Sequence, residues 1–192
     1  TPQDPWVSRV GREAIVDHIA IDLDPPDDLP YARVLDVARW VRDELVSLKV
    51  TAVAKTSGSS GLHIYIPLPP RTTNDTAQLV AELFAERMAM EHPKDATTRR
   101  SRSARPANAV YVDFMQNVVG KSVAAPLSVR AKPGALVSTP LGWDELDDDL
   151  DPQAFTLDTL TGKELERRGR IWKAAMRHTN RLEVLFEKRP GK

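Results

Sequence analysis

The sequence predicts an α+β fold built on the split βαβ arrangement, with helices on one face of an antiparallel or mixed sheet. Two observations predict it. Several short segments alternate apolar and polar residues, as strands do, and two longer segments repeat apolar residues every three or four positions, as amphipathic helices do. In chain order these segments read strand, helix, strand, strand, helix, strand. Extra strands and a C-terminal helix are expected to follow.

The first strand and the first helix are separated by a proline-rich turn. The strand is predicted at residues 18–24, HIAIDLD, where Asp22 and Asp24 share the face opposite the apolar side chains. The helix is predicted at about 31–48, with Pro30 near its first turn. Taken alone, IDLDPP is also typical of a solvated strand end closed by an Asp-Pro turn.

A pair of strands joined by a glycine- and serine-rich turn follows. The β-branched segment 50–56 predicts one strand, and LHIYIPL at 62–68 predicts the other. SGSSG, residues 57–61, forms the turn. Alternation puts His63 and Tyr65 on the polar face of the second strand.

The fourth strand of the core carries a third acidic residue. A helix is predicted at about 75–91, followed by a basic loop at 94–108. The strand AVYVDFMQ at 109–116 then places Asp113 on its polar face, and a further strand is expected at about 121–130.

The split βαβ topology brings these polar residues together. The first strand of this arrangement lies between the third and the fourth, and neighbouring strands are about 4.8 Å apart. Both helices cover the apolar face, so the polar side chains should converge on the uncovered face. These side chains are Asp22, Asp24, His63, Tyr65 and Asp113.

Composition and charge narrow the function classes. The chain has no cysteine, which excludes disulfides and thiolate metal sites and fits a cytoplasmic protein. No segment is long and apolar enough to span a membrane. The net charge is zero, but residues 94–132 hold eight Lys or Arg against two acids, and residues 163–192 hold ten against four. Such blocks fit either a polyanion-binding face or solvated surfaces. The candidate DNA-binding residues are Arg99, Arg100, Arg102, Arg105 and Lys121.

Three carboxylates without cysteine form a hard oxygen site, which suits Mg²⁺ or Mn²⁺. Carboxylates that hold two such ions are typical of nucleotidyl transfer, which also needs donors for a triphosphate. The KTSGSSGLH segment and the basic residues after the third aspartate offer them, although SGSSG by itself is more often a hairpin loop and lacks the P-loop spacing. The candidate nucleotide-binding residues are Lys55, Ser57, Gly58, Ser60, His63 and Arg130, with Lys121 as a further charge.

Three segments together carry a resemblance to a known family. The segments are IDLDP, KTSGSSGLHIYIPL and the stretch from VYVDFMQN to STPLGWDEL. Together they resemble the polymerase domain of bacterial ATP-dependent DNA ligase D, in the archaeo-eukaryotic primase superfamily. The likeness extends from WVSRVG at residue 6 to about residue 160.

The resemblance implies roles for individual residues. Asp22, Asp24 and Asp113 match metal-binding carboxylates, and Ser57 and His63 match residues that contact the incoming triphosphate. Arg130 resembles an arginine that also reaches the phosphates. Gln116 stands where the family has a polar residue near the site, and Arg105 loosely matches another family arginine.

The resemblance also implies an activity. The family adds nucleotides, preferably ribonucleotides, to DNA ends and 5′-phosphorylated gaps during end joining, with Mn²⁺ or Mg²⁺. Ligase and end-binding repair proteins are the expected partners, at the bacterial nucleoid in the cytoplasm.

This sequence departs from the family pattern at several positions. Ser60 and Leu127 replace a common Lys and a common Tyr. Relatives carry a segment before PWVSRVG, so the N-terminal part of the family fold is expected to be missing. The expected organisation is a catalytic core at 1–160 and a helical tail at 161–192.

Two alternative functions remain open from the sequence. The short N-terminal region and Ser60 fit a DNA-end-binding module with weak or no catalysis. The AIDLDPP segment also resembles the D-x-D-x-[TV] motif of haloacid dehalogenase-type phosphohydrolases, although Pro26 stands where that motif has Thr or Val.

Overall fold

Three α-helices and eight short strands make up the regular structure of the residues that the computed structural model describes, 2–5, 7–8 and 14–186. Most of the WVSRVG stretch lies outside those residues. The helices are α1 (Tyr31–Ser47), α2 (Asn74–Glu91) and α3 (Gly162–Met176). The strands are β1 (Pro2–Gln3), β2 (His18–Asp24), β3 (Val53–Thr56), β4 (Leu62–Pro67), β5 (Ala96–Thr97), β6 (Val110–Asp113), β7 (Val123–Ala124) and β8 (Pro140–Leu141).

The main sheet is mixed and has the order β5-β6-β2-β4-β3-β8. Only the short β5 pairs in parallel, with β6, and the other pairings are antiparallel. The strand β2 lies between β4 and β6, which confirms the predicted central place of the first core strand. The α+β class and the mixed sheet are confirmed as well.

The two predicted helices cover the apolar face of this sheet. Ile19, Ile21 and Leu23 of β2 are fully buried in the same cluster as the apolar residues of α1 and α2. The helix α2 is capped by Thr73, whose hydroxyl accepts a hydrogen bond from the backbone N–H of Thr76. The alternation seen in the sequence therefore selects the face that becomes the core.

The opposite face is not uncovered as predicted, because α3 packs over part of it. Tyr65 is fully buried there, and its ring meets that of Trp172 edge to face at 4.8 Å between centroids. The apolar residues of α3 fall at helical spacing in an otherwise charged segment, so one narrow stripe reaches the sheet. The packing residues of that stripe are Ile171, Trp172, Ala175 and Met176.

The strand predicted at 121–130 is wrong over most of its length. Only Val123–Ala124 is a strand, and it pairs with β1 in a separate two-stranded sheet. Leu127, which follows Pro126, has a φ of 60°, a left-handed conformation that interrupts an extended strand.

Other boundaries differ by a few residues. The strand predicted at 50–56 begins at Val53. The basic loop contains β5 and a short 3-10 helix at Arg102–Ala104. Among the described residues, no helix is both long and apolar enough to cross a bilayer.

Candidate active site

Four polar residues on four adjacent strands stand in one row across the polar face of the sheet. Asp22 of β2 is paired in register with His63 of β4 on one side and with Asp113 of β6 on the other. His63 is in turn paired with Lys55 of β3. Directly paired residues have Cβ atoms about 4.5 to 5.5 Å apart, so the row is continuous. Asp24 lies two residues farther along β2, on the same face.

Close polar contacts connect the row on its basic side. The Nε2 atom of His63 lies 3.4 Å from Oδ1 of Asp22, and its Nδ1 atom lies 2.9 Å from Nζ of Lys55. Lys55 is fully buried and also donates to Oγ of Ser138 at 2.5 Å. Burial, together with the charges of Lys55 and Arg130, lowers the pKa of His63 well below its usual value. The imidazole is therefore neutral near neutral pH.

The electrostatics of Asp22 favour a bound cation. Burial, and then the negative charges of Asp113 and Asp24, raise the pKa of Asp22 to about 8, although Lys55 and Arg130 act in the opposite direction. A divalent cation among the three carboxylates would offset this repulsion, and oxygen ligands are those that Mg²⁺ and Mn²⁺ prefer. The donor set therefore fits such an ion.

The carboxylates are nevertheless not preassembled around one point. In the portion of the chain that the structure describes, no three His, Asp or Glu side chains form a ready cation site. Asp113 accepts hydrogen bonds from the backbone N–H of Met115 and from the side chains of Gln116 and Tyr111. Asp24, which is 43% exposed, lies 3.8 Å from Nη1 of Arg105. Loading of a cation would thus require these side chains to turn.

The loop between β3 and β4 forms the wall beside the row. The Oγ atom of Ser57 accepts hydrogen bonds from the backbone N–H groups of Ser59 and Gly61, which closes the loop. Gly58 has a φ of 69°, and a Cβ atom there would lie 2.5 Å from Cγ of Arg130. Arg130 crosses this glycine and donates to the carbonyl of Ser57 at 3.3 Å. Glycine at position 58 therefore allows the arginine to lie against the loop.

Two cavities lie beside the aspartates of β2, one at Asp22 and one at Asp24. The larger, about 480 Å³, is lined by Asp22, His63, Gln116 and Arg130 together with residues 122–124. The smaller, about 310 Å³, lies beside Asp24 and is lined by Pro25, Pro26, Asp27, Asp28, Arg102, Arg105, Pro106, Ala107 and Ala109.

The predicted nucleotide-binding residues are thus only partly brought together. His63, Gln116 and Arg130 face the larger cavity. Lys55 lies behind His63, and Ser60 is exposed at the tip of the loop.

The predicted DNA-binding residues differ in their surroundings. Arg99, Arg100 and Arg102 are exposed, as is Lys121, which lines neither of the two cavities described above. Arg105 instead stacks on the ring of Tyr111, with its guanidinium carbon 3.6 Å from the ring centroid. It also donates to the carbonyls of Arg99 and Arg100, so it holds the basic loop against the site.

Two buried residues that support the row were not predicted from the sequence. Ser138 binds Lys55, as described above. Asn117 accepts a hydrogen bond from the N–H of Ala20 and donates to its carbonyl, so it continues the β2 pairing beyond the end of β6. For Asn117, a polar residue directly after a strand was the only available signal, and Ser138 lies too far along the chain for any spacing rule to link it to Lys55.

Comparisons with known proteins identify the family of this chain. A family described as "LigD, primase-polymerase domain" matches residues 2–172. The multifunctional non-homologous end joining protein LigD of Mycobacterium bovis is 37% identical over 130 residues, which cover 68% of this chain and 17% of the relative. The bifunctional non-homologous end joining protein LigD of Bacillus subtilis is 34% identical over 143 residues, 74% of this chain and 23% of the relative. The chain thus matches less than a quarter of the length of either relative.

A solved structure is similar over nearly the whole chain. The polymerase domain from Mycobacterium tuberculosis ligase D in complex with DNA superposes with a TM-score of 0.78 at 29% identity. The match covers 93% of this chain and 63% of that one. By sequence and by fold, this chain belongs to the LigD primase-polymerase domain family and is a polymerase-type nucleotidyltransferase.

Proposed function

We propose that this chain adds nucleotides to the 3′ ends of DNA breaks and gaps during end joining, in a reaction that depends on Mn²⁺ or Mg²⁺. The observation that carries the proposal is the row of polar residues across the sheet. In this row Asp22 is paired with the basic residue His63 of β4 on one side and with the acidic residue Asp113 of β6 on the other. One side of the row then suits a triphosphate, and the other suits cations. The finer parts of the proposal rest on the family resemblance. They are the preference for ribonucleotides and Mn²⁺, the gapped substrate with a 5′-phosphate, and the cytoplasmic, nucleoid-associated setting with ligase and end-binding partners.

The residues of the larger cavity would bind the nucleoside triphosphate. Arg130 and the N–H of His63 supply positive charge and a hydrogen-bond donor at its wall. Lys132, which donates to Oγ of Ser59 at 2.8 Å, adds a second cation beside the loop. Backbone N–H groups around Gly58 complete an environment that suits phosphate oxygens.

The carboxylates would hold the metal ions. Asp22, Asp24 and Asp113 are the proposed ligands, and Gln116, which donates to Asp113 at 2.9 Å, orients one of them. When bound, two such ions lower the pKa of the attacking 3′-hydroxyl and neutralise the leaving pyrophosphate. The exposed arginines of the basic loop, Arg99, Arg100 and Arg102, would contact the DNA backbone.

Primer extension on 5′-phosphorylated gapped DNA tests this function. We expect extension with Mn²⁺ that is faster with ribonucleotides than with deoxynucleotides. Asp22→Asn and Asp113→Asn should each reduce extension at least about a hundredfold, because each removes a negative charge that holds the cations. Asp43→Asn, at an exposed position on α1, is the matched control and should extend normally.

Folding and DNA binding are measured in the same variants. Folding, measured by circular dichroism, and DNA binding, measured by fluorescence anisotropy, should both match those of the unsubstituted chain. Normal extension by either site variant would contradict the assignment. DNA binding by the unsubstituted chain without any extension would instead support a DNA-end-binding module.

A further inference from the structure

A basic hairpin, residues 128–138, lies against the loop between β3 and β4. Its two arms are joined by an antiparallel bridge, and its sequence contains no acidic residue. Both of its cations reach the same loop. Arg130 donates to the carbonyl of Ser57 at 3.3 Å, and Lys132 donates to Oγ of Ser59 at 2.8 Å. The hairpin is therefore tied to the loop by its two cations.

The tip of the hairpin fixes the backbone at Lys132. The N–H of Ala135 donates to the carbonyl of Lys132 at 3.0 Å, which closes a four-residue turn. Pro133 and Gly134 occupy its middle positions, and Gly134 has a φ of 84°. Proline in the second position and a residue of positive φ in the third are typical of a type II turn. The lysine side chain therefore extends from a defined point beside the loop.

The charges of the hairpin are not neutralised by carboxylates. Within the described residues, Arg130 and Lys132 each donate to a neutral oxygen and form no ion pair. Ser60, exposed at the tip of the loop, stands where the family commonly has Lys and brings no charge. The ammonium group of Lys132 lies against the residue just before it, Ser59. A cation is thus present at this tip, although it comes from another part of the chain.

The position of this cation relative to the row indicates which phosphate it would meet. The loop joins β3 to β4, so it lies at the end of the row that is farther from Asp113. Arg130 and Ala131 line the larger cavity, and Lys132 follows them at its rim. On the proposed function, the carboxylates engage the reacting phosphate. The terminal phosphate of the nucleotide then extends toward this rim.

We infer that Lys132 binds the terminal phosphate of the incoming nucleotide and supplies, in this chain, the charge that Ser60 lacks. The inference rests on the proposed function, because it places the nucleotide in the larger cavity. In the free protein, Ser59 keeps the ammonium group beside the loop. A diphosphate has no third phosphate to reach the rim, so Lys132 also favours triphosphates over diphosphates.

Calorimetric titration with ATP and with ADP tests the inference in Mg²⁺ without DNA, where no extension can occur. Lys132→Met should weaken ATP binding about tenfold and ADP binding less than about twofold, because only the triphosphate loses a charge-assisted hydrogen bond. Lys163→Met, on an exposed lysine of α3, is the matched control and should bind both nucleotides as the unsubstituted chain does.

Two further variants separate the charge from the tie between hairpin and loop. Ser60→Lys, added to Lys132→Met, should restore most of the ATP affinity, because it returns a cation to the same tip. Ser59→Ala removes the hydroxyl that holds the ammonium group but keeps the cation, so it should change ATP affinity less than about twofold. Equal losses in Ser59→Ala and Lys132→Met, or no restoration by Ser60→Lys, would overturn the inference.

The titrations also separate this inference from the proposed function. Normal ATP binding by Lys132→Met overturns the inference, as do equal losses for ATP and ADP or a failure of the unsubstituted chain to bind ATP. If the unsubstituted chain extends primers while Lys132→Met binds ATP normally, the inference alone fails. If ATP binding depends on Lys132 in a chain that extends no primer, the proposed function alone fails.

Discussion

At the scale of single residues, the polar face of the sheet is governed by burial as much as by charge. The pKa of Asp22 is raised, whereas the pKa values of His63 and Lys55 are lowered. Burial is the largest cause of the shift in all three residues. Each group thus tends toward its neutral form in the free protein. Binding of a dication and a triphosphate would restore charge to this face, so the free and loaded sites should differ in protonation.

His18, at the start of β2, offers a test of burial outside the site. Burial lowers the pKa of His18 to about 4, while Asp17 opposes the shift. A lowered histidine pKa means that the folded state favours the neutral ring. Its contribution to stability is therefore complete above the unfolded pKa of 6.5 and is lost as pH falls toward 4. Between pH 7 and pH 4, we expect the free energy of unfolding to fall by about 2 to 3 kcal/mol more in the unsubstituted chain than in His18→Gln.

Urea unfolding of both proteins at several pH values measures this difference. His178→Gln, at an exposed position, controls for the substitution itself. Parallel stability curves for wild type and His18→Gln would show that burial of this ring does not control acid stability.

At the scale of elements, α3 is held to the sheet by one buried arginine. Arg168 is 4% exposed and donates to the carbonyl of Pro140 at 3.1 Å and to Glu145 at 2.8 Å. It also donates to Glu164 within α3. The helix is thereby fixed at β8, while Trp172 packs farther along on Tyr65.

Arg168→Met should destabilise the chain by about 2 kcal/mol, because it leaves a buried carbonyl and a partly buried carboxylate with fewer partners. Arg170→Met on the same helix is the matched control. Arg170 is 70% exposed, and its pair with Glu166 is long, at 3.7 Å, so this variant should lose less than about 0.5 kcal/mol. Equal midpoints in urea for the two variants would mean that the Arg168 contacts do not hold α3.

The elements also show where sequence patterns succeed. Alternation in HIAIDLD and LHIYIPL was enough to predict that Asp22 and His63 share a face, because one face of each strand had to enter the core. The cover of that face by α3 was not predictable, because a helix with a single narrow apolar stripe gives no sign of the surface on which it packs. The prediction of a strand at 121–130 is wrong because an alternating sequence pattern does not reveal a residue with a left-handed backbone conformation, such as Leu127.

At the scale of the whole molecule, a net charge of zero hides a basic surface next to the site. The loop arginines Arg99, Arg100 and Arg102 are exposed, and Arg105 holds their loop against Tyr111. A second basic block lies on α3. The sequence predicted both blocks but could not rank them, because the distance of each from the carboxylates depends on the fold.

Salt dependence of DNA binding ranks the two surfaces. Replacing Arg99, Arg100 and Arg102 together by Ala should reduce the slope of log K against log salt by about 3, since each phosphate contact contributes about 0.9. The matched triple variant, the α3 variant, replaces Arg170 and Lys173 of α3 and Arg177, which directly follows the helix, and should leave the slope unchanged. Fluorescence anisotropy at several salt concentrations measures both. A larger loss from the α3 variant would place the DNA along α3 and not along the basic loop.

The row formed by Lys55, His63, Asp22 and Asp113 makes the fold sensitive to insertions and deletions in specific places. A shift of one residue within β2 would turn its two aspartates toward α1 and α2, and would turn its isoleucines toward the polar face and the larger cavity. Extra residues in the connections would leave the row in place, because the pairing of the strands sets its geometry. Homologous chains should therefore vary in length between these strands and keep a constant length within them.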